Sequence, residues 1–189
     1  FKYSENSIVM GNKILHYSSL TKKFIMAFAG LFLVVFLVVH LSINLLLLLK
    51  DGGELFNAAA HFMGTNIVIK VMEVVLMAGF LIHILLGLIL QIQNWLARPI
   101  RYKVEGYSHT SFFSKFMIHT GIIVLAFLIL HFFNFYFIRF NIVDVPDGVS
   151  KFTHDGHIDF YTIAQVLFEN TTYSVIYILC FLFLAFHLN

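Results

Sequence analysis

Charged residues are spaced along this chain so that four long stretches carry almost none. Phe24–Leu49 has no charge over 26 positions, Val71–Leu96 is interrupted by Glu73 alone, and Phe116–Ile138 and Thr171–Asn189 have none. At ~1.5 Å of helix rise per residue, each stretch has the length that crosses a hydrocarbon core of about 30 Å. Between them, Gly52-Gly53 and Pro146-Asp147-Gly148 read as turns, and Asn57–Met63 as a short interfacial helix. Ile158–Phe168 reads as a helix on the membrane surface. The pattern predicts an all-α integral membrane helical bundle forming one domain over residues 1–189, with no repeat, low-complexity tract or linker. Thr171–Asn189 stops in apolar sequence without the polar flank that closes a span, so a continuation is expected beyond Asn189. A signal peptide fits the first stretch poorly, because an h-region is only about 7–15 residues long and no A-x-A site follows.

Composition sharpens this picture. The chain is 60% hydrophobic and 12% charged, against about 45–50% and 25% in soluble domains, which argues against a soluble fold. A net charge of +2 without a groove-sized basic patch speaks against nucleic acid as a partner. The single cysteine, Cys180, excludes an internal disulfide, a cysteine-ligated iron–sulfur cluster, a Cys-based zinc site and covalent c-type haem.

Charge placement orients the spans. Lys2, Lys13, Lys22 and Lys23 precede the first, and Arg98, Arg101, Lys103 and Lys115 lie between the second and third. The connection after span one carries Asp51 and Glu54, and the one after span three carries Asp144, Asp147, Asp155, Asp159 and Glu169 against Arg139 and Lys151. The positive-inside rule therefore expects a cytoplasmic N-terminus.

Each span also holds one deep histidine: His40, His83, His131 and His187. Ionisable residues in a membrane are rare and usually functional, though any one imidazole also serves as a neutral interhelical hydrogen-bonding group. Depth separates the four into two levels. His40 lies 10 residues before Lys50 and His131 lies 8 before Arg139, each ~12–15 Å from the outer boundary. His83 lies 13 residues after Lys70 and His187 lies 18 after Glu169, ~20–27 Å from that boundary. Two imidazoles at each of two levels suit two bis-histidine haems stacked across the bilayer, closed to oxygen and fit for electron transfer. A mononuclear copper or zinc site would gather its ligands at one depth. Gly79, His83 and Gly87 share a stripe that fits either a porphyrin face or close helix packing. Asn44, near His40, and Thr120 and Gly121, on the His131 face, are either hydrogen-bonding partners of the imidazoles or interhelical polar contacts.

The pieces Val39-His40-Leu41 with Asn44, Glu54–Met63, Ile82-His83 with Gly87, Leu130-His131 and Phe186–Asn189 resemble the di-haem cytochrome b membrane subunit of succinate:quinone oxidoreductases, a family that includes the quinol:fumarate reductases. The resemblance covers nearly the whole chain. It implies five spans, the fifth beyond Asn189, with His40 and His131 on the iron of the distal, outer haem b and His83 and His187 on that of the proximal, inner one. It further implies a bacterial inner (cytoplasmic) membrane, menaquinone as substrate, and FAD and iron–sulfur clusters held only in a flavoprotein subunit and an iron–sulfur subunit on the cytoplasmic side. A dimer of such heterotrimers is one candidate assembly. Docking is expected at Lys13–Lys23 and Arg98–Lys115, whose charges serve topology equally well.

Quinone chemistry near the outer face needs a proton acceptor, and the candidates are Glu73, the one acidic residue inside a predicted span, and His61 on the short helix. The plain alternatives are an interfacial carboxylate facing water and a loop histidine. Some family members carry a glutamate two residues before the fourth ligand, where this chain has Ala185, so electrogenic turnover is expected. Lys22, Lys115, Arg139 and Ser42 are candidate propionate partners, while His16, His109, His119, His154 and His157 receive no role. Two other functions compete: a haem-b quinone subunit of a hydrogenase or formate dehydrogenase, and a cofactor-free transporter or scaffold.

Overall fold

The computed structural model describes residues 19–96 and 116–189. The basic residues Lys2, Lys13, Arg98, Arg101, Lys103 and Lys115, with His16 and His109, lie outside the described residues, as do most of both expected docking segments. The described residues are helical, with no strand and one isolated bridge between Phe152 and Ile158.

Helix α1 runs Ser19–Asn44 and tightens into a 3-10 turn over Leu45–Leu48. It is followed by α2, Glu54–Thr65, and α3, Ile67–Leu96. Helix α4 is Met117–Arg139 with a π turn at Phe132–Tyr136, and α5 is Phe160–Glu169. Helix α6, Thr171–Leu188, completes the order. Among the described residues, four segments are long and apolar enough to cross a membrane: Leu20–Leu48, Ile67–Leu96, Met117–Arg139 and Thr171–Leu188. Large apolar side chains stand exposed along them, among them Phe24, Val35, Val74, Leu81 and Ile178. Such surfaces are stable against lipid and unstable against water, so the chain is a multi-pass membrane protein.

The helices differ from the apolar stretches mainly at their starts. Lys22 and Lys23, which precede the first apolar stretch, lie inside α1. Helix α3 begins at Ile67, so Lys70 and Glu73 lie inside it. Its start is set by Asn66, whose Oδ1 accepts from the Val68 and Ile69 amides at 2.9 and 3.3 Å. Asn170 does the same for α6, accepting from the Thr172 amide at 3.0 Å. In both places one asparagine separates a short helix from a spanning one.

By their contacts the described residues form two compact units. One takes α1 through Val38 with α3 from Met72; the other takes the remainder of α1 from Val39, α2, the start of α3, and α4 to α6. The most fully buried side chains of the second unit are Ile138 at the end of α4 and Ile163 on α5, 2% and 1% exposed, and α2 packs beside α5. Asn57, 7% exposed, donates from Nδ2 to Asp159 Oδ1 at 2.9 Å, and its Oδ1 accepts from the Tyr161 amide at 3.0 Å. Gly53, at φ 88°, lies so close to Tyr161 that a Cβ would overlap the ring. Asp51 accepts from the Gly53 and Leu55 amides at 3.0 and 2.9 Å, which seats the first turn of α2. The connection before α5 is tied to the end of α4 by Lys151, whose Nζ donates to the Ile138 carbonyl at 2.9 Å and to the side chain of Asn141.

Burial alone would push the Asp159 carboxyl up, but the Thr162 amide, the Asn57 amide and the Thr162 hydroxyl together hold it below the ordinary carboxylate value. Its contribution is therefore complete above about pH 4, the unfolded value, and is lost as pH falls through the lower folded value. Hydrogen exchange of the Thr162 amide is expected to accelerate on acidification below about pH 4, and Asp159→Asn is expected to flatten that dependence. Asn57→Ala removes both bonds of a buried amide and is expected to cost about 2 kcal/mol, read as a lowered midpoint in denaturant unfolding of the purified protein.

Candidate functional site

Of the four deep histidines, the structure brings His40 and His131 together. They reach each other from α1 and α4, their ring centroids 5.7 Å apart and their planes at 89°. His131 Nδ1 is buried and has no hydrogen-bond partner among the described residues. Around it stand Phe135 at 5.3 Å, Phe127 at 5.9 Å and Tyr177 at 6.5 Å between ring centroids. The π turn begins at the residue after His131, and such turns recur at functional sites because the extra residue re-aims the side chains beyond it. Here it carries Asn134, whose Nδ2 donates to the hydroxyl of Tyr177 at 2.9 Å. Tyr177 itself is 3% exposed and packs on Phe127 and Phe168.

A metal between two imidazoles, with metal–nitrogen bonds of about 2 Å and about 1 Å from nitrogen to ring centre, sets the centroids about 6 Å apart. The His40–His131 separation is of that order, and it is equally that of an ordinary edge-to-face ring pair. Among the described residues no three His, Cys, Asp or Glu side chains converge on a common point.

His83 and His187 each meet a glycine on a neighbouring helix. A Cβ on Gly30 of α1 would lie 3.3 Å from His83 Cε1, and one on Gly121 of α4 would lie 3.2 Å from His187 Cε1. Gly30 is 10 residues before His40, and Gly121 is 10 before His131. Along α4 that separation is about 15 Å of helix, so His187 meets α4 well away from His131.

Several smaller expectations change. Thr120 and Gly121 serve His187 rather than His131: Thr120 Oγ1 lies 3.1 Å from His187 Nδ1. Asn44 donates to the His40 backbone carbonyl at 2.9 Å, so that bond orients the helix end and not the imidazole. The glycine stripe of α3 divides, because Gly79 faces Phe32 and Leu33 whereas Gly87 faces open space. Glu73 is half-buried on α3. His61 is exposed on α2 and stacks on His157, with centroids 3.8 Å apart and planes at 17°. His157 thus gains a partner that its position in a long connection did not announce. Gly30, Asn134 and Tyr177 also carried little mark of their roles in the sequence; a glycine or a tyrosine within an apolar span was the one available signal.

The fold defines a helical multi-pass membrane protein in which two imidazoles on spanning helices, His40 and His131, lie side by side. No family profile, curated protein or solved structure matches the chain.

If Gly121 is small because His187 fills the adjacent space, Gly121→Ala must displace the ring by a few tenths of an ångström and Gly121→Val by more. The expected outcome is a graded loss of whatever His187 binds, Val exceeding Ala, while ligand binding at His40 and His131 persists; equal behaviour of both variants with the parent contradicts it.

Proposed function

We propose that this chain is the di-haem b membrane subunit of a succinate:quinone oxidoreductase, a membrane anchor that passes electrons between cytoplasmic flavin and iron–sulfur subunits and menaquinone near the outer face. The observation that carries the reading is the approach of His40 to His131 from two different helices at a separation suited to one metal between them. The second pair, His83 with His187, rests on their register along the spans and on the family resemblance. When bound, haem supplies reversible one-electron transfer. The chain's own part is to hold imidazoles in fixed directions, to surround His131 with Phe127, Phe135 and Tyr177, and to keep water away through its lipid-facing apolar surface.

Proton exchange with quinone falls to Glu73 and His61 in this reading. The His61–His157 stack supports it, since a second imidazole beside His61 offers a neighbouring proton acceptor at an exposed edge. The bacterial inner membrane, the cytoplasmic N-terminus and the two cytoplasmic partner subunits belong to the same proposal and rest on the charge pattern and the resemblance.

Single replacement of the four histidines by alanine, followed by haem quantitation, tests the assignment. His40→Ala and His131→Ala are each expected to lose the outer haem and keep the inner one. Two haems retained in either variant would refute the pairing.

A further inference from the structure

Thr120 makes more contacts than a packing residue needs. It is 7% exposed, and its hydroxyl lies 3.0 Å from the Met117 carbonyl, 3.4 Å from the Phe116 carbonyl and 3.1 Å from His187 Nδ1. A hydroxyl has one proton and two lone pairs. If that proton points to a carbonyl of its own helix, the oxygen accepts from an Nδ1–H of His187, and both bonds form at once. If it points to His187 Nδ1 instead, the bond to the carbonyl is lost. Thr120 is buried, so water does not readily replace the missing partner, and the arrangement with two bonds is favoured.

We infer that Thr120 is the positioning residue of His187, holding its imidazole as the Nδ1–H tautomer with Nε2 as the basic nitrogen. Gly121 complements this by leaving the ring room to come close to α4, an added Cβ falling 3.2 Å from Cε1 and 3.7 Å from Nδ1. The hydroxyl fixes the tautomer and rotation, and the glycine fixes the approach. A metal-ligating imidazole commonly donates its other ring N–H to an oxygen, which sets the direction of the ligating nitrogen and raises its basicity. The inference about tautomer stands on the hydrogen bonds alone; its consequence for haem rests on the function proposed above.

The test uses the full chain in lipid nanodiscs with nitrogen-15-labelled histidine. In haem-free protein, His187, assigned by loss of its signals in His187→Gln, is expected to show protonated Nδ1 and unprotonated Nε2 in the parent and in Thr120→Ser. In Thr120→Val, which keeps the shape and removes the acceptor, the population is expected to move toward Nε2–H. A parent chain with Nε2–H overturns the inference whether or not haem binds. In haem-loaded protein, Thr120→Val is expected to weaken the inner haem about 10–100-fold and Thr120→Ser to restore it, while the haem at His40 and His131 is retained and reports a folded chain. Inner haem bound equally by Thr120→Val and the parent overturns the positioning role. No haem in the parent overturns the proposed function and leaves the tautomer result standing.

Discussion

Inside hydrocarbon, a polar side chain has no water to fall back on and must find its partner in the protein. Most of what distinguishes this bundle from four greasy helices stems from that requirement. Asn44 and Thr120 turn back on their own helix carbonyls, Asn134 reaches across to Tyr177, and His187 lies against Thr120. Each of these bonds fixes a rotation as well as a distance. His40 and His131 stand apart: their rings approach edge to face, and the buried Nδ1 of His131 is without a partner among the described residues. A shared ligand between the rings answers that arrangement in the function proposed here.

The ends of the helices obey a different rule, because there the backbone must change direction while its amides stay bonded. Asn66 and Asn170 solve this alike, each accepting from the first amides of a spanning helix immediately after a short one. No sequence repeat accompanies the repeated device, since only the capping residue needs to be kept. Asn57, Asp159 and Tyr161 then bind α2 to α5 through one buried amide, so two connections far apart in sequence stabilise one another. The same α2 presents His61 to His157, and the connection that carries His157 is held to α4 by Lys151.

Much of this was legible in the chain because hydrophobic length and charge position act along one dimension. The spans, the turn at Gly52-Gly53, the helices near Asn57–Met63 and Ile158–Phe168, and the shared depth of His40 and His131 are all readings of distance along an axis. Contacts between helices depend on rotation too, which spacing reports only within a helix. Thr120 and His131 are eleven residues apart and so share a face of α4, yet about 16 Å separates them, and a second imidazole at the lower level claims the threonine. Gly30 was invisible for the same reason: its smallness matters only because His83 comes from another helix to meet it.

In the proposed function, everything turns on paired intramembrane imidazoles holding haem. A reduced-minus-oxidised absorption spectrum of the purified protein measures this most directly. The expected result is a b-type haem band at two haems per chain; a flat difference spectrum from folded, correctly inserted protein would contradict it.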